Sequence, residues 1–462
     1  MDNPLFRRWC ATVARAPRAT ALVDAATGKR WSRAALAAGA GEWAGAVAGE
    51  LGGGTAHRRR VAMSVPNGAE WLRVFLGLLS RGAVPAPIDP TEPEEAQVAT
   101  ARALGATHLW REGRLHRLDA PRAPRVPAGE CLVKVTSAST GAPRGLPATF
   151  GQMEADGRQV CRTMGIGAAD ANLAAIPFGY SYGLGNLVLP LLLQGTPSIC
   201  LSSPLPHAVA SDCRRFRPTV FPAVPPLLRA LAASDLPPGA LSSLRVVISA
   251  GSPLDPAVAA AFAARFGRRV HGFYGTSETG GISYDRDGAA TLEGRSVGRP
   301  LRGVRVALGR AGRFTVRSAA VLGRGAFSPG DRAHLNAAGE LVLRGRADRL
   351  VKVAGRRLDL AEVERALRAL PGIRDAFAHQ EPGTAGLAAA VVTTLSPIEI
   401  RRLLALRLAP WKIPGRLVAL ADFPTSARGK TDARRLRQLL AAPRTATSIS
   451  TLRAERQMSA PR

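Results

Sequence analysis

Aromatic residues are scarce in this sequence: they make up 5% of 462 residues, with only four tyrosines. The formal net charge of +29 is typical of proteins that bind nucleic acid or anionic membranes. Nucleic-acid-binding surfaces, however, interleave basic patches with stacking rings, whereas the basic residues here are dispersed. A coding bias toward Arg and Ala accounts better for the charge, so we expect no nucleic-acid partner. Net charge is the one feature of the sequence that favours a nucleic-acid-binding protein.

Cysteine and lysine are also rare. The five cysteines are widely spaced, without a Cys-x-x-Cys pair or a histidine pattern, which excludes a metal cluster of His and Cys. They are Cys10, Cys131, Cys161, Cys200 and Cys213. Arg replaces Lys almost everywhere, so each remaining lysine is of individual interest. The lysines are Lys29, Lys134, Lys352, Lys412 and Lys430.

Long apolar runs are missing. The N-terminus lacks the apolar segment of a secretory signal. The longest apolar run, near residues 184–201, is interrupted by Gly, Asn, Gln and Pro, which argues against a membrane span. Together with the scattered cysteines, these absences predict a cytoplasmic protein with reduced thiols.

The chain is 46% hydrophobic, enough for a large core in more than one domain. Apolar strands alternate with helices up to about residue 300, a pattern that predicts parallel βαβ units. Predicted strands are Arg60–Val65, Val84–Ile88, Leu244–Ser249 and Arg269–Tyr274, and predicted helices are Glu70–Ser80, Gln152–Met164, Pro256–Phe266 and one that begins at Trp31.

Short strands follow residue 300, and a small α+β unit follows the basic stretch 345–358. We therefore predict an α/β fold: a large N-terminal domain (1–347) of mostly parallel βαβ sheets with a small β-barrel-like part, then a small C-terminal domain (348–440). In the latter, Ser396 and Glu399 form a capping box that opens a helix. The tail (441–462) has no apolar periodicity and is expected to be disordered.

One loop is rich in hydroxyls and glycine. Thr136–Gly145 follows the alternating apolar stretch Cys131–Val135 and contains one cation, Arg144. Backbone N–H groups and hydroxyls in such a loop can cradle a polyphosphate, although the pattern of the P-loop NTPases is absent. Taken alone, a loop of this composition is more often a plain flexible turn than a phosphate-binding loop.

Two consecutive predicted strands also end in Gly/Ser/Thr turns, at Ala250–Ser252 and Gly275–Gly280. Ligands in open α/β sheets bind at the carboxyl ends of strands. Glu278 can hold a divalent ion that bridges phosphates, although a turn glutamate is more often simply solvated. Asp331, predicted in a turn after Gly330, can accept hydrogen bonds from ribose hydroxyls.

Two of the four tyrosines, Tyr180 and Tyr182, lie in one Gly-rich turn. They are compatible with core packing or with an aromatic gate beside a ligand. Near the C-terminus, the turn Pro424–Asp432 presents Lys430.

In this order, these stretches resemble the adenylate-forming (AMP-binding) superfamily of acyl-CoA synthetases, aryl-acid ligases and adenylation domains, over about residues 20–440. The matching motifs are the phosphate loop Thr136–Gly145, Tyr274–Glu278, Gly330-Asp331, the hinge motif Gly345–Asp348 with Gly355–Arg357, and Gly429-Lys430.

The resemblance implies ATP-dependent activation of a carboxylic acid, with Mg²⁺, followed by transfer to a thiol. Lys430, Ser277, Glu278 and Arg346 would be catalytic, and Glu278 would bind the metal. The implied nucleotide-binding residues are Thr136, Ser137, Ser139, Thr140, Gly141, Arg144, Gly145, Gly251, Ser252, Tyr274, Gly275, Thr276 and Asp331.

The resemblance also implies a mobile C-terminal domain that rotates about Asp348. Gly355 and Tyr180 would then line the thiol tunnel. The candidates for the acyl pocket are Tyr182, Gly183, Asn186, Phe273, Gly280 and Gly281.

Three positions depart from the family pattern. Ala138 replaces a glycine and Arg144 a lysine in the phosphate loop, and Tyr180 stands where several CoA ligases have histidine. A fourth feature bears on the substrate. Gly179 follows Phe178, where amino-acid-activating members carry an aspartate. This favours an aryl or acyl acid over an amino acid.

The expected thiol is CoA. The alternative acceptor is the phosphopantetheine of an acyl carrier protein, and net charge does not separate the two. A third reading is a family member that binds nucleotide without turnover, which the altered phosphate loop would suggest.

Overall fold

The structure is a computed structural model that describes residues 3–51, 59–119, 126–127, 129–136, 144–346, 350–353, 356–380, 386–425 and 431–441. The described residues up to 346 form one compact unit, and those from 350 form a second. In the described residues, no helix is long and apolar enough to cross a membrane.

The helices of the first unit surround its sheets. They are α1 (Pro4–Arg15), α2 (Arg33–Ala46), α3 (Ala48–Leu51), α4 (Ala69–Ser80), α5 (Glu94–Ala103), α6 (Phe150–Met164), α7 (Ser181–Gly183), α8 (Leu189–Gln194), α9 (Pro206–Phe216), α10 (Pro225–Ala232), α11 (Pro256–Phe266) and α12 (Ala289–Glu293). A π-helix (Leu184–Val188) joins α7 to α8, and Pro238–Leu241 and Arg310–Gly312 are short 3₁₀ helices.

The strands of the first unit are β1 (Thr20–Asp24), β2 (Arg30–Ser32), β3 (Arg60–Ser64), β4 (Val84–Pro87), β5 (His108–Arg111), β6 (Arg114–Arg117), β7 (Glu130–Thr136), β8 (Arg144–Thr149), β9 (Asn172–Ala174), β10 (Ser198–Cys200), β11 (Val220–Ala223), β12 (Val246–Ser249), β13 (Val270–Thr276), β14 (Gly280–Tyr284), β15 (Arg299–Pro300), β16 (Arg305–Leu308), β17 (Phe314–Arg317), β18 (Ala326–Phe327), β19 (Asp331–Leu335) and β20 (Leu341–Arg346).

The largest sheet has the order β15-β14-β13-β12-β11-β9-β10-β1-β2. Its central pairs, from β1 through β10, β9, β11 and β12 to β13, are all parallel. A second sheet, β4-β3-β5-β6, has a parallel core and one antiparallel edge. The predicted α/β fold with mostly parallel sheets is thus confirmed.

Sequence signals set several boundaries. The side chain of Asp255 caps α11, Pro256 occupies its first turn, and Gly267 ends it in the left-handed conformation, as expected from the preferences of Pro and Gly. Thr149 and Gln152 form a capping box that begins α6.

Two local predictions were wrong. Trp31 does not begin a helix: Arg30–Ser32 forms β2 against β1, and Ser32 then caps α2 by accepting a hydrogen bond from the Ala35 N–H. Asp331 is not in a turn but begins β19, because it pairs with Arg346 of β20 across a hairpin.

The second unit contains β21 (Leu350–Val353), β22 (Arg356–Asp359), α13 (Leu360–Arg368), β23 (Ile373–His379), β24 (Ala388–Thr393), α14 (Pro397–Ala405), β25 (Arg416–Leu420) and α15 (Ala433–Ala441). The capping box of Ser396 and Glu399 at α14 is present as predicted. The residues of the tail from 442 lie outside the described part.

A buried carboxylate ties the amino ends of the central strands together. Asp170 accepts two hydrogen bonds from the Arg245 guanidinium (2.7 and 2.6 Å), one from the Thr219 hydroxyl (2.7 Å) and one from the Gly167 N–H (2.9 Å). Burial raises the pKa of Asp170. The hydrogen bonds from Arg245, Gly167 and Thr219 lower the pKa by more than burial raises it, so the net shift is downward.

We predict that Asp170→Asn lowers the free energy of unfolding by about 2 kcal/mol at pH 7, because hydrogen bonds to a charged group are lost. A lowered folded pKa stabilises the protein above the unfolded value of about 3.9. The contribution is lost as pH falls through the folded value. In urea unfolding, the difference in the free energy of unfolding between variant and wild type should therefore become smaller below about pH 4. Asp235→Asn, at a carboxylate that is 85% exposed, is the matched control. An equal difference at pH 7 and pH 3 would contradict this account.

Candidate active site

Two of the predicted turns lie on one edge of the large sheet. Strands β12 and β13 are parallel neighbours, with Ser249 opposite Gly272, so the turns that follow them emerge on the same side. Gly251 has a φ of +91°, a left-handed conformation that only glycine adopts readily. Gly251 and Ser252 are both exposed. The structure therefore brings these residues beside Tyr274–Thr276, as open α/β sheets do at ligand sites.

The predicted adenine and ribose residues are in contact. The Tyr274 hydroxyl donates a hydrogen bond of 2.7 Å to Asp331 Oδ2. Asp331 and Arg346 are register partners in the β19–β20 hairpin, so their backbones are adjacent. The side chain of Arg346 lies outside the described part. Tyr274 and Asp331, which are 57 positions apart in the sequence, thus meet beside the end of β13, and the hairpin places the backbone of Arg346 next to Asp331.

The β13–β14 turn (residues 276–280) contains the predicted metal and α-phosphate residues. The Thr276 and Thr279 hydroxyls lie 3.1 Å apart, and the Ser277 hydroxyl accepts a hydrogen bond of 2.9 Å from Ser181. Glu278 is half-buried, and its backbone carbonyl accepts a hydrogen bond from Leu322 N–H (2.8 Å). No described residue pairs with the Glu278 carboxylate.

A magnesium ion fits this turn. Mg²⁺ is usually held by one or two carboxylates together with substrate phosphates and water. Glu278 offers one carboxylate beside hydroxyls, and this carboxylate has no partner in the part of the chain that the structure describes. Over the described residues, no group of three His, Cys, Asp or Glu side chains could hold a metal by itself. The donor set therefore suits an ion that arrives with a polyphosphate.

The described ends of the phosphate loop meet as a hairpin. Thr136 ends β7 and pairs with Arg144 at the start of β8, and the Thr136 hydroxyl donates to the Arg144 carbonyl (3.3 Å). Arg144 is exposed. A Cβ on Gly145 would lie 2.7 Å from Leu104 Cδ2 and 3.0 Å from Val133 Cγ1, so a larger residue there would have to displace these side chains. The loop residues Ser137, Ser139, Thr140 and Gly141 lie outside the described residues.

Four of the predicted acyl-pocket residues form one contiguous group. The rings of Tyr182 and Phe273 are 5.8 Å apart between centroids, and Asn186 Nδ2 donates to the Tyr182 carbonyl (3.3 Å). A Cβ on Gly281 would lie 2.9 Å from the Phe273 ring. Asn186 lies within the π-helix, a helix type that is frequent at functional sites.

The remaining two glycines of the predicted pocket, Gly183 and Gly280, are closely packed against neighbouring atoms. A Cβ on Gly183 would lie 2.0 Å from the Pro177 carbonyl oxygen, and one on Gly280 would meet the Asp156 carboxylate. Both positions therefore need glycine for packing.

Both tyrosines of the Gly-rich turn make polar contacts in addition to packing. Tyr180 donates to Asp89 Oδ2. Tyr182 donates to the carbonyls of Ala223 and Ile248 (3.4 Å each), at the ends of β11 and β12, and burial raises the pKa of Tyr182. Asn67 fixes the segment just before them, since it accepts from the Phe178 N–H (2.7 Å) and donates to the Ile176 carbonyl (2.8 Å).

Some expected residues cannot be placed, and others were missed. Asp348, Gly355 and Lys430 lie outside the described residues.

Sequence reasoning missed Ser181, Asn67 and Asp89, which hold the segment around Tyr180 in place. Ser181 contacts Ser277, and Asp89 contacts Tyr180. Ser181 lies between the two tyrosines that the sequence singled out, and that position was its only signal.

We predict that Tyr274→Phe weakens ATP binding about fivefold, because a net hydrogen bond contributes about 1 kcal/mol and Asp331 loses the partner that orients it. Isothermal titration calorimetry measures the change. Tyr284→Phe is the control, because Tyr284 is buried in the adjacent strand and stacks on His271. Equal affinities in both variants and the wild type would contradict this role of Tyr274.

Comparison with known proteins identifies the family. A sequence model of the AMP-binding enzyme family matches residues 9–126 and 111–314. The chain is 28% identical to a benzoate–CoA ligase of Thauera aromatica, over 82% of this chain and 85% of the relative. It is also 28% identical to an L-proline–[L-prolyl-carrier protein] ligase of Streptomyces coelicolor, over 74% of this chain and 72% of the relative.

The fold agrees with these matches. The ATP-bound crystal structure of MatB from Rhodopseudomonas palustris superposes with a TM-score of 0.82, covering 95% of this chain and 99% of that one. At 21% sequence identity, this likeness shows the fold alone. The curated relatives above are ligases that join an acid to a thiol, and this protein is likewise an AMP-forming acid–thiol ligase. The family match spans well over half of the chain, so the protein belongs to the AMP-binding enzyme family.

Proposed function

We propose that the protein joins an aryl or simple acyl carboxylic acid to CoA in two steps at one site. In the first, a carboxylate oxygen attacks the α-phosphorus of ATP, the bond to the β-phosphate breaks, and pyrophosphate leaves. In the second, a thiolate attacks the acyl carbon and AMP leaves. The observation that supports this most is the meeting of Tyr274, Asp331 and the β13–β14 turn at one strand edge.

Each residue of the site would have a separate role in the first step, according to its chemistry. The phosphate loop, with Arg144, would hold the β- and γ-phosphates, and Ser277 would donate to the α-phosphate. Asp331 would accept from the ribose hydroxyls, and Tyr274 and Gly251 would flank adenine. Mg²⁺ at Glu278 would neutralise phosphate charge. The carboxylate is already ionised at neutral pH, so no general base is needed.

Lys430 would bridge the two anions that must meet, and a positioned cation stabilises the charge that develops between them. Rotation of residues 348–440 about Asp348 would then withdraw Lys430 for the thiol step and bring Gly355 and Tyr180 to the tunnel. Reuse of one site through domain movement is a common solution for two chemistries.

The surroundings of position 179 support an acid without an α-amino group. A Cβ on Gly179 would lie 2.7 Å from Pro87 Cβ, so the aspartate of amino-acid-activating relatives has no room there. The carboxylate of Asp89, which binds the neighbouring Tyr180, also accepts hydrogen bonds from the hydroxyl and the N–H of Thr91 (2.7 and 3.0 Å). The rings of Tyr182 and Phe273 suit a flat aryl group. The benzoate–CoA ligase relative points the same way.

CoA is our preferred acceptor. The alternative acceptor is the phosphopantetheine of an acyl carrier protein, because one of the relatives is a carrier-protein ligase. Both acceptors present the same thiol arm and are anionic, so direct competition between them is the informative experiment.

A reducing compartment, the cytoplasm, suits the cysteines. Four of the five are buried. Burial raises the pKa of Cys161, Cys200 and Cys213 to about 12, which keeps these thiols protonated and unreactive.

We predict acid-dependent exchange of radiolabelled pyrophosphate into ATP, strongest with a member of a panel of aryl, fatty and amino acids. Lys430→Ala should lower the exchange rate at least ~100-fold, as does loss of other groups that stabilise transition-state charge. Lys412→Ala is the matched control, because Lys412 pairs with Glu362 in the second unit.

Two results would contradict the proposal. One is no exchange with any acid from protein that binds ATP, which would indicate a nucleotide binder without turnover. The other is equal exchange in the Lys430 and Lys412 variants. Once an acid is found, thioester formation with CoA or with carrier protein identifies the acceptor.

A further inference from the structure

A lysine and an aspartate are buried together behind the β13–β14 turn. Lys134 and Asp156 have side chains that are only 1% and 3% exposed, and Lys134 Nζ lies 3.7 Å from Asp156 Oδ2. Lys134 belongs to β7 and Asp156 to α6. Among the described residues, Nζ has no hydrogen-bond partner. The ammonium group is thus removed from water, and among the described residues the Asp156 carboxylate is the charge that offsets the lost hydration.

Such a pair is not explained by stability. Removing two charges from water costs more than a loosely bonded pair returns, and apolar pairs of similar volume are often as stable or more stable. Most of the chain's other basic positions carry Arg, yet lysine is kept here. The pair is therefore better explained by what its two side chains hold in place than by a gain in stability.

Asp156 touches the strand that leaves the β13–β14 turn. Its Oδ1 accepts a hydrogen bond of 3.1 Å from the Gly281 N–H. Gly280 has a φ of +68°, and a Cβ there would lie 2.2 Å from Asp156 Oδ1. A Cβ on Gly185, in the π-helix, would lie 3.5 Å from Oδ2. The carboxylate therefore fixes the backbone two and three residues after Glu278.

Lys134 belongs to the strand that leads to the predicted phosphate loop. It lies two residues before Thr136, where β7 runs into the phosphate loop. The ion pair therefore connects the strand that enters the phosphate loop with the strand that follows Ser277 and Glu278. Lys134 Nζ has almost no exposed surface, so it acts through Asp156 rather than on a substrate.

We propose that the Lys134–Asp156 pair is a positioning device that holds the phosphate-loop strand in register with the β13–β14 turn. It thereby sets the position of Thr136, where β7 ends, relative to Ser277 and Glu278. This role rests on the proposed function of the site as an ATP·Mg²⁺ site.

The test compares Lys134→Met, Asp156→Asn and the double variant. Lys→Met keeps most of the volume, and Asn keeps the shape and an acceptor for the Gly281 N–H. Each single variant leaves one buried charge unpaired, whereas the double variant leaves none. Glu130→Gln is the matched control, because it breaks a buried ion pair with Arg60 of β3 at the opposite end of β7 from Thr136.

Three quantities are measured: the melting temperature, the affinity for ATP with Mg²⁺ by calorimetry without any acid, and the kcat and KM of pyrophosphate exchange. We expect both single variants to lose stability and to bind ATP·Mg²⁺ about tenfold more weakly, as is typical when a supporting partner of a metal or active-site group is removed. In the double variant, the melting temperature should recover while the affinity and kcat stay low. The control should lose stability but keep wild-type affinity.

Recovery of affinity together with melting temperature in the double variant would overturn the proposal. So would a loss of affinity in Glu130→Gln equal to that in the single variants. The binding measurement needs no acid, so wild-type protein that binds ATP·Mg²⁺ without exchange would refute the proposed function while the variants still decide the role of the pair.

Discussion

Parallel pairing of β11, β12 and β13 is the constraint on which the site depends. Neighbouring strands in a sheet are about 4.8 Å apart, and parallel strands end at the same edge. The sequence after β12 and β13 is rich in Gly, Ser and Thr, so two polar turns are placed side by side there. The β19–β20 hairpin and the α7 segment add their functional groups to this edge through the Tyr274–Asp331 and Ser181–Ser277 contacts.

Polar contacts from buried or half-buried side chains hold this edge in place. Asn67 fixes the backbone on both sides of Pro177, and Tyr182 donates to one backbone carbonyl near the end of β11 and one near the end of β12. Each contact joins elements that are distant in sequence, and each is directed at backbone atoms. A packed apolar core alone would set the spacing of the elements less sharply, because hydrophobic contacts are not directional. A small set of directional hydrogen bonds therefore positions the site, and the apolar core packs around them.

The sequence predicted what local chemistry controls. The capped helix Pro256–Phe266, the capping box at Ser396 and the Gly/Ser/Thr turns after β12 and β13 carry signals within a few residues. It failed for Asp331, whose strand exists only because residue 346 lies opposite, and for Trp31, whose strand depends on β1. It also missed Ser181 beside Ser277 and Lys134 beside Asp156, because pairs 96 and 22 residues apart leave no periodic pattern.

The most direct test of the central claim is the affinity for a stable analogue of an acyl-adenylate, in which a sulfamoyl group links benzoate or another accepted acid to adenosine. If the edge forms a single site for acid and nucleotide, the analogue should bind at least ~100-fold more tightly than ATP, since it joins both ligands as the intermediate does. Calorimetry gives both constants on the same protein. An analogue that binds no more tightly than ATP would show that the acid and the nucleotide do not share this site.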